Sequence, residues 1–163
     1  MDSENLVVVD ISDFRVCKDP TQTLITYSLG SCIAFLLYDP VRRIGGMLHS
    51  VLPLAQVSAE KAARRPAMFT DTGVPLLIEL MLAQGSKKGD LKSSAIGAGI
   101  LIGSSNLFNI GQRNFMALRK AIWRNDMLLD AEDVGGSRSR TVALHVGTGK
   151  VVVRSQGNEV ELI

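Results

Sequence analysis

Residues 32–50 read CIAFLLYDPVRRIGGMLHS, and the architecture hangs on this stretch. Cys32–Tyr38 and Ile44–Ser50 are dense in β-branched, aromatic and aliphatic residues and flank Asp39-Pro40-Val41-Arg42. Asp at the first turn position and Pro at the second mark a type I turn, so the stretch predicts a β-hairpin. With Asp39 to Arg42 as the turn, pairing runs Tyr38–Arg43, Leu36–Gly45, Ala34–Met47 and Cys32–His49. Directly opposed residues share a face with Cβ atoms roughly 4.5–5.5 Å apart, which would bring a sulfur and an imidazole together. Ile33, Phe35 and Leu37 lie on one side and Ala34, Leu36 and Tyr38 on the other. A sheet with one wet face alternates with polar residues, so this one is expected to be covered on both sides.

Outward from the hairpin, Leu6–Val9 reads as a short strand followed by a polar connection through Lys18-Asp19-Pro20. Leu24–Ser28 reads as a strand stopped by Gly30. Ser58 to Arg65 has helical composition but little apolar periodicity and is expected as a loop. Thr70–Thr72 offers capping residues for a helix to about Ala83, closed by Gly85, with Pro75 tolerated only in its first turn. A small-residue strand is expected over 94–103. Asn109 with Gln112 resembles a capping box, and Phe115, Leu118, Ile122 and Met116 make the apolar face of a helix ending near Asn125. Leu128–Glu132, Thr141–Val146, Val151–Arg154 and Val160–Ile163 read as strands. About eight strands and two main helices imply a single-domain α/β sandwich over residues 1–163, with a central mixed or mostly antiparallel sheet.

Composition narrows the function. The chain has 163 residues, 46% hydrophobic and 21% charged, which is globular composition of a size for one domain. A formal charge of +2 argues against nucleic acid as a partner, and Arg42-Arg43, Arg64-Arg65 and Lys87-Lys88 are scattered pairs that read as solvated surface. The longest apolar run, 74–83, carries Pro75 and Glu79 and is about half a membrane span, so no direct membrane insertion is expected. Cys17 and Cys32 are too few for a disulfide scaffold, and the acidic start at residues 1–5 lacks a signal peptide's basic region. The expectation is a cytoplasmic protein with free thiols.

A thiol beside an imidazole is a recognisable chemical unit. Only a few per cent of a free thiol is thiolate at neutral pH. An adjacent imidazole can take the proton, hold the thiolate as an ion pair and lower the thiol pKa, then protonate a departing amine. Gly30-Ser31 breaks a strand just before Cys32, and backbone amides there are candidate donors to an oxyanion. Residue physics leaves two readings open, because a strand Cys is commonly a small buried hydrophobe and a lone His a satisfied core or surface residue.

Thr26-Tyr27-Ser28-Leu29-Gly30-Ser31-Cys32, then His49 and Leu52-Pro53, resembles the CheD family of chemoreceptor glutamine deamidases. The likeness continues through Thr70-Asp71, Ile110-Gly111-Gln112-Arg113-Asn114, Gly135-Gly136 and Thr148-Gly149. The resemblance implies a triad of Cys32 as nucleophile, His49 as base and then acid, and Thr26 as orienter of the imidazole. It implies conversion of glutamine side chains on cytoplasmic chemoreceptor helices to glutamate through a thioester, with no metal or organic cofactor, and binding to a CheC-type phosphatase of phosphorylated CheY. Three positions depart from the family pattern: Ser139 precedes Arg140, residues 97–99 read Gly-Ala-Gly, and Gln112 stands where Glu is common. These put loop shape and partner preference in doubt, not the triad.

Rival readings are a phosphatase-docking module with little catalysis, and a thiol peptidase or methylesterase. Zinc on Cys17, Cys32, His49 and His145 lacks the short ligand spacing of structural sites. A Cys17–Cys32 disulfide would block the nucleophile. Gly97-Ala98-Gly99 lacks the spacing of a phosphate loop.

Overall fold

The computed structural model describes residues 5–100 and 109–163. Among these, two five-stranded mixed sheets stack face to face, and helices cover the outer face of the second. The first sheet runs β1 (Leu6–Val8), β3 (Thr23–Leu29), β8 (Arg140–His145), β9 (Val151–Ser155) and β10 (Asn158–Glu161), with β1 and β3 parallel and the rest antiparallel. The second runs β2 (Asp13–Cys17), β5 (Ile44–Ser50), β4 (Ile33–Asp39), β6 (Lys92–Gly97) and β7 (Ala131–Val134), with only β6 and β7 parallel. The expected α/β sandwich is present, and its hairpin sheet is covered on both sides as expected, by the helices on one face and by the other sheet on the second.

Apolar residues on both faces of β4 account for this layering. Ile33, Phe35 and Leu37 pack with Leu48 against helix α2 (Thr70–Ala83) and helix α3 (Ile110–Arg124). Ala34, Leu36 and Tyr38 pack with Met47 and Ile96 against Leu24, Val142, Leu144 and Val153 of the other sheet. Every residue of β4 and β5 is buried, Asp39 included. The Asp39 carboxylate accepts from the Val41 and Arg42 amides, the Arg42 guanidinium and the Ser86 hydroxyl.

That buried carboxylate also corrects the hairpin. Asp39 is the last rung, paired with Ile44, so the loop is Pro40 to Arg43 and not Asp39 to Arg42. Arg43 closes it at a φ of 55°, the left-handed residue that follows a type I turn in a longer hairpin loop. The register therefore moves by two: Leu36 faces Met47, Ala34 faces His49, and Ile33 faces Ser50. A one-residue slip would have turned every side chain to the other face; a two-residue slip keeps the faces.

Other elements differ from the sequence reading for local reasons. β2 stands within the expected polar connection, its Phe14 and Val16 packing against the helix-side core. The expected loop at 58–65 contains helix α1 (Ala59–Arg64), whose Lys61 amide donates to the Ser58 hydroxyl. Pro75 lies in the second turn of α2, not the first, at the cost of one ladder bond to the Asp71 carbonyl. Asn109 adopts φ 44°, ψ 51° with no side-chain cap, so the capping box does not form. Met116 is exposed, and Asn114, Ala117 and Ala121 join Leu118 and Ile122 on the buried face. β7 begins at Ala131 rather than Leu128, because Asp130 first ties itself to Ser93 through both its backbone amide and its carboxylate. β6 ends at Gly97, and the remainder of the strand expected over 94–103 is turned away at Ala98 (φ 54°) or lies outside the described residues, at 101–108. No helix among the described residues is long and apolar enough to cross a membrane.

Helix α3 starts against backbone. A Cβ on Gly111 would come 2.5 Å from the Gly99 carbonyl oxygen and 2.7 Å from Ala98. Gly111→Ala should therefore lower stability by about 2 kcal/mol through overpacking, seen as a lower urea midpoint at unchanged slope.

Candidate active site

Three elements converge where the two sheets meet. β3 brings Thr26, β5 brings His49, and the turn entering β4 brings Cys32. Cys32 sits one residue before the strand and two before Ala34, the direct partner of His49. It is thus a diagonal neighbour of His49 on the same face, not its opposite number. Such neighbours are commonly about 7–8 Å apart at the backbone, still within reach of long or aromatic side chains.

Thr26 sets the state of the imidazole. Its hydroxyl lies 2.6 Å from the Val9 carbonyl oxygen and 2.7 Å from His49 Nδ1, with both side chains fully buried. A carbonyl can only accept, so the single hydroxyl proton goes to Val9. Nδ1 must then carry a hydrogen and donate it to Thr26. This fixes the tautomer and leaves the lone pair on Nε2, which is buried and makes no hydrogen bond among the described residues. A buried polar atom without a partner is costly, and such atoms concentrate where chemistry needs them.

Burial favours the neutral form of both His49 and Cys32. It lowers the His49 pKa to about 4, a fall only partly opposed by the negative charge of Asp10. It also raises the Cys32 thiol above its ordinary value, against a smaller opposing contribution from the residue's own amide. Both directions run against the expected resting ion pair and lowered thiol pKa. The imidazole is neutral at rest, and the Cys32 thiol makes no hydrogen bond to its Nε2 among the described residues.

Backbone around Cys32 is fixed from three sides. The Gly30 amide donates to the Ser28 carbonyl, so it is not the free oxyanion donor that the sequence suggested; its own carbonyl accepts from Gly99. The Cys32 carbonyl accepts from Ala98, and a Cβ on Gly97 would lie 2.5 Å from that oxygen. Ser31 and Cys32 are half-buried and carry the amides nearest the thiol.

Sequence reasoning gave no role to two buried polar residues at this end of the sheet. Arg140 donates to the Gly97 and Gly135 carbonyls and pairs with Asp133, tying β8 to β6 and β7. Asn114 of α3 reaches the Ser31 and Val51 carbonyls. Asn114 does carry a readable signal, since it shares the buried helix face with Gly111, Leu118 and Ala121. Of the other residues weighed as zinc ligands, Cys17 donates to Gln22 and His145 pairs with Thr23, each away from the thiol–imidazole pair. Both cysteines are free.

A half-buried thiol, a base with a free lone pair and a hydroxyl that orients it are the parts of a thiol-dependent acyl-transfer enzyme. The chain belongs to the CheD family: the family profile described as CheD chemotactic sensory transduction matches residues 51–155. That match begins two residues after His49 and so speaks for membership rather than for the triad. A Syntrophus aciditrophicus protein named probable chemoreceptor glutamine deamidase CheD 1 is 44% identical over 93% of this chain and 94% of its own. An Anaeromyxobacter dehalogenans protein named probable chemoreceptor glutamine deamidase CheD 2 is 44% identical over 96% of this chain and 98% of its own. The crystal structure of the Bacillus licheniformis hypothetical protein YfiH aligns with a TM-score of 0.42 at 12% identity, covering 77% of this chain and 50% of that one.

Proposed function

We propose that this chain is a glutamine deamidase acting on chemoreceptors, with residues 1–163 as one deamidase domain and Cys32, His49 and Thr26 as its catalytic group. The observation that carries the roles is the buried, unpartnered Nε2 of His49, its tautomer set by Thr26.

The chemistry follows from that atom. As Cys32 Sγ attacks the amide carbon, its proton moves to Nε2, so the thiolate forms only as the new carbon–sulfur bond is made. The tetrahedral oxyanion is met by the Ser31 and Cys32 amides. The imidazolium, steadied through Nδ1–H by Thr26, protonates the departing nitrogen, and ammonia leaves a thioester. Water then attacks the thioester with Nε2 as base, giving glutamate and restoring the thiol. The substrate is placed in the cytoplasm, on receptor helices offered as a helical face, and a CheC-type phosphatase is a second ligand of the same protein.

The test uses a glutamine-bearing receptor helix fragment. Incubation should add about one mass unit per modified site and release one ammonia for each. Cleavage of the fragment would indicate a peptidase. Methanol from methylated glutamates without ammonia would indicate an esterase. Phosphatase binding with an unchanged fragment would indicate a docking module.

A further inference from the structure

The hairpin ladder stops at the Ile33–Ser50 rung, one residue short of Cys32. Beyond it the chains splay: the Val51 amide turns away to the Met68 carbonyl. The Ser31 and Val51 carbonyls are then left facing a common space, and two acceptors cannot bond each other. One group holds both. Asn114, fully buried, donates from Nδ2 to the Ser31 oxygen at 2.9 Å and to the Val51 oxygen at 3.0 Å. Its Oδ1 lies 3.1 Å from the Thr70 hydroxyl, whose one proton also has the Leu52 carbonyl within 3.3 Å, and the Thr70 amide donates to that same carbonyl. The reverse amide orientation would press Oδ1 against two carbonyls, so the donor assignment is settled by its partners.

We infer that Asn114, oriented by Thr70, is a positioning residue for the reaction: its carboxamide stands in for the missing rung and sets the separation of Cys32 from His49. Ser31 is bonded directly to Cys32, and Val51 lies two residues beyond His49. A single side chain therefore spans the strand end that carries the nucleophile and the one that carries the base. Rigid positioning matters here because the thiol has to reach Nε2 across a diagonal, where a shift of about 1 Å can cost on the order of 10²-fold in rate. Thr70 and Asn114 come from α2 and α3, so the outer layer of the fold is wired to the site between the sheets.

The roles and the ammonia readout rest on the proposed amide hydrolysis; a second readout does not. With the glutamine-bearing fragment, Asn114→Ala should lower kcat by about 10- to 100-fold with KM changed less than about threefold. Ile122→Ala, a truncation on the same buried helix face, serves as the control of comparable thermal destabilisation and should leave kcat nearly intact. Freed of its tether, Cys32 should also become more accessible, so iodoacetamide should alkylate Asn114→Ala at least about fivefold faster than wild type near pH 8. Faster alkylation with slower turnover is a signature that general loosening at Ile122 does not produce. Thr70→Val, milder and still able to fold should Asn114→Ala fail to, should show the same pair of changes at about a tenth of wild-type kcat. Equal kcat losses in Asn114→Ala and the Ile122 control, or Cys32 alkylation unchanged in both clamp variants, would overturn the assignment. A wild-type protein that releases no ammonia fails the proposed function, and the alkylation rates then decide the clamp alone.

Discussion

Ammonia release should vanish in Cys32→Ala and fall on the order of 10³- to 10⁴-fold in His49→Gln, and the two losses should differ in their pH dependence. Without Cys32 the proposed thioester cannot form, so no pH should restore turnover. Without His49 the thiol remains but must ionise unaided. Burial holds it above its ordinary pKa, so the residual rate of His49→Gln should climb steadily as pH rises through the alkaline range. Wild type should behave otherwise. With a neutral thiol and imidazole as the proposed active form, kcat/KM should hold from neutrality down to about pH 5, with an acid limb near the His49 pKa of about 4. A resting ion pair would instead place the acid limb at a depressed thiol pKa and give thiolate absorbance near neutrality. Titrating ultraviolet absorbance in wild type and Cys32→Ala separates the two, and a thiolate seen at pH 7 would rule out proton transfer during attack.

How much of this was legible depends on the range of each interaction. β4 and β5 were readable because apolar residues on both faces demand two covering layers, whatever those layers are. What covers each face depends on contacts distant in sequence, such as Leu36 and Tyr38 packing with Leu144 and Val151, and no local pattern announces them. The turn misled by two residues because Asp39 reads as an ordinary turn opener, whereas its carboxylate is a buried acceptor for four donors. A two-residue slip preserves faces, so Cys32 kept its side of the sheet and lost its direct opposition to His49. β2 escaped notice because its five residues include Asp13 and Arg15, and its strand character comes from pairing with β5. Thr26 came from resemblance alone, since its partners Val9 and His49 are 17 and 23 residues away. The ion-pair expectation runs against both pKa directions for a different reason: spacing can suggest proximity, but desolvation of both groups is a property of the packed interior.

The same desolvation predicts acid sensitivity centred on one histidine. His49 is fully buried with its pKa lowered to about 4, while in the unfolded chain it titrates near its ordinary 6.5. Between those values the unfolded chain binds a proton that the folded protein refuses, so acidification favours unfolding. The stabilisation is complete above about pH 6.5, drains away as pH falls towards 4, and levels off once the folded form also protonates. A lowering of this size corresponds to about 3 kcal/mol at most. Protonation is costly in a second way, because Nε2–H would become a buried donor facing no acceptor. Carboxylates act in another window. Burial works against ionised Asp39, but hydrogen bonds from Ser86, Arg42 and Val41 outweigh it and lower its pKa, so its contribution is lost only as pH falls below the ordinary carboxylate range. Urea unfolding of wild type and His49→Gln at pH 7.5, 6.0 and 4.5 isolates the histidine, since everything else titrates alike in the two proteins. Wild type should lose about 2–3 kcal/mol more than the variant over that interval, whatever their starting stabilities. Parallel declines would mean that His49 takes up its proton as readily in the folded protein as in the unfolded chain, and the buried neutral base on which the proposed chemistry stands would be gone.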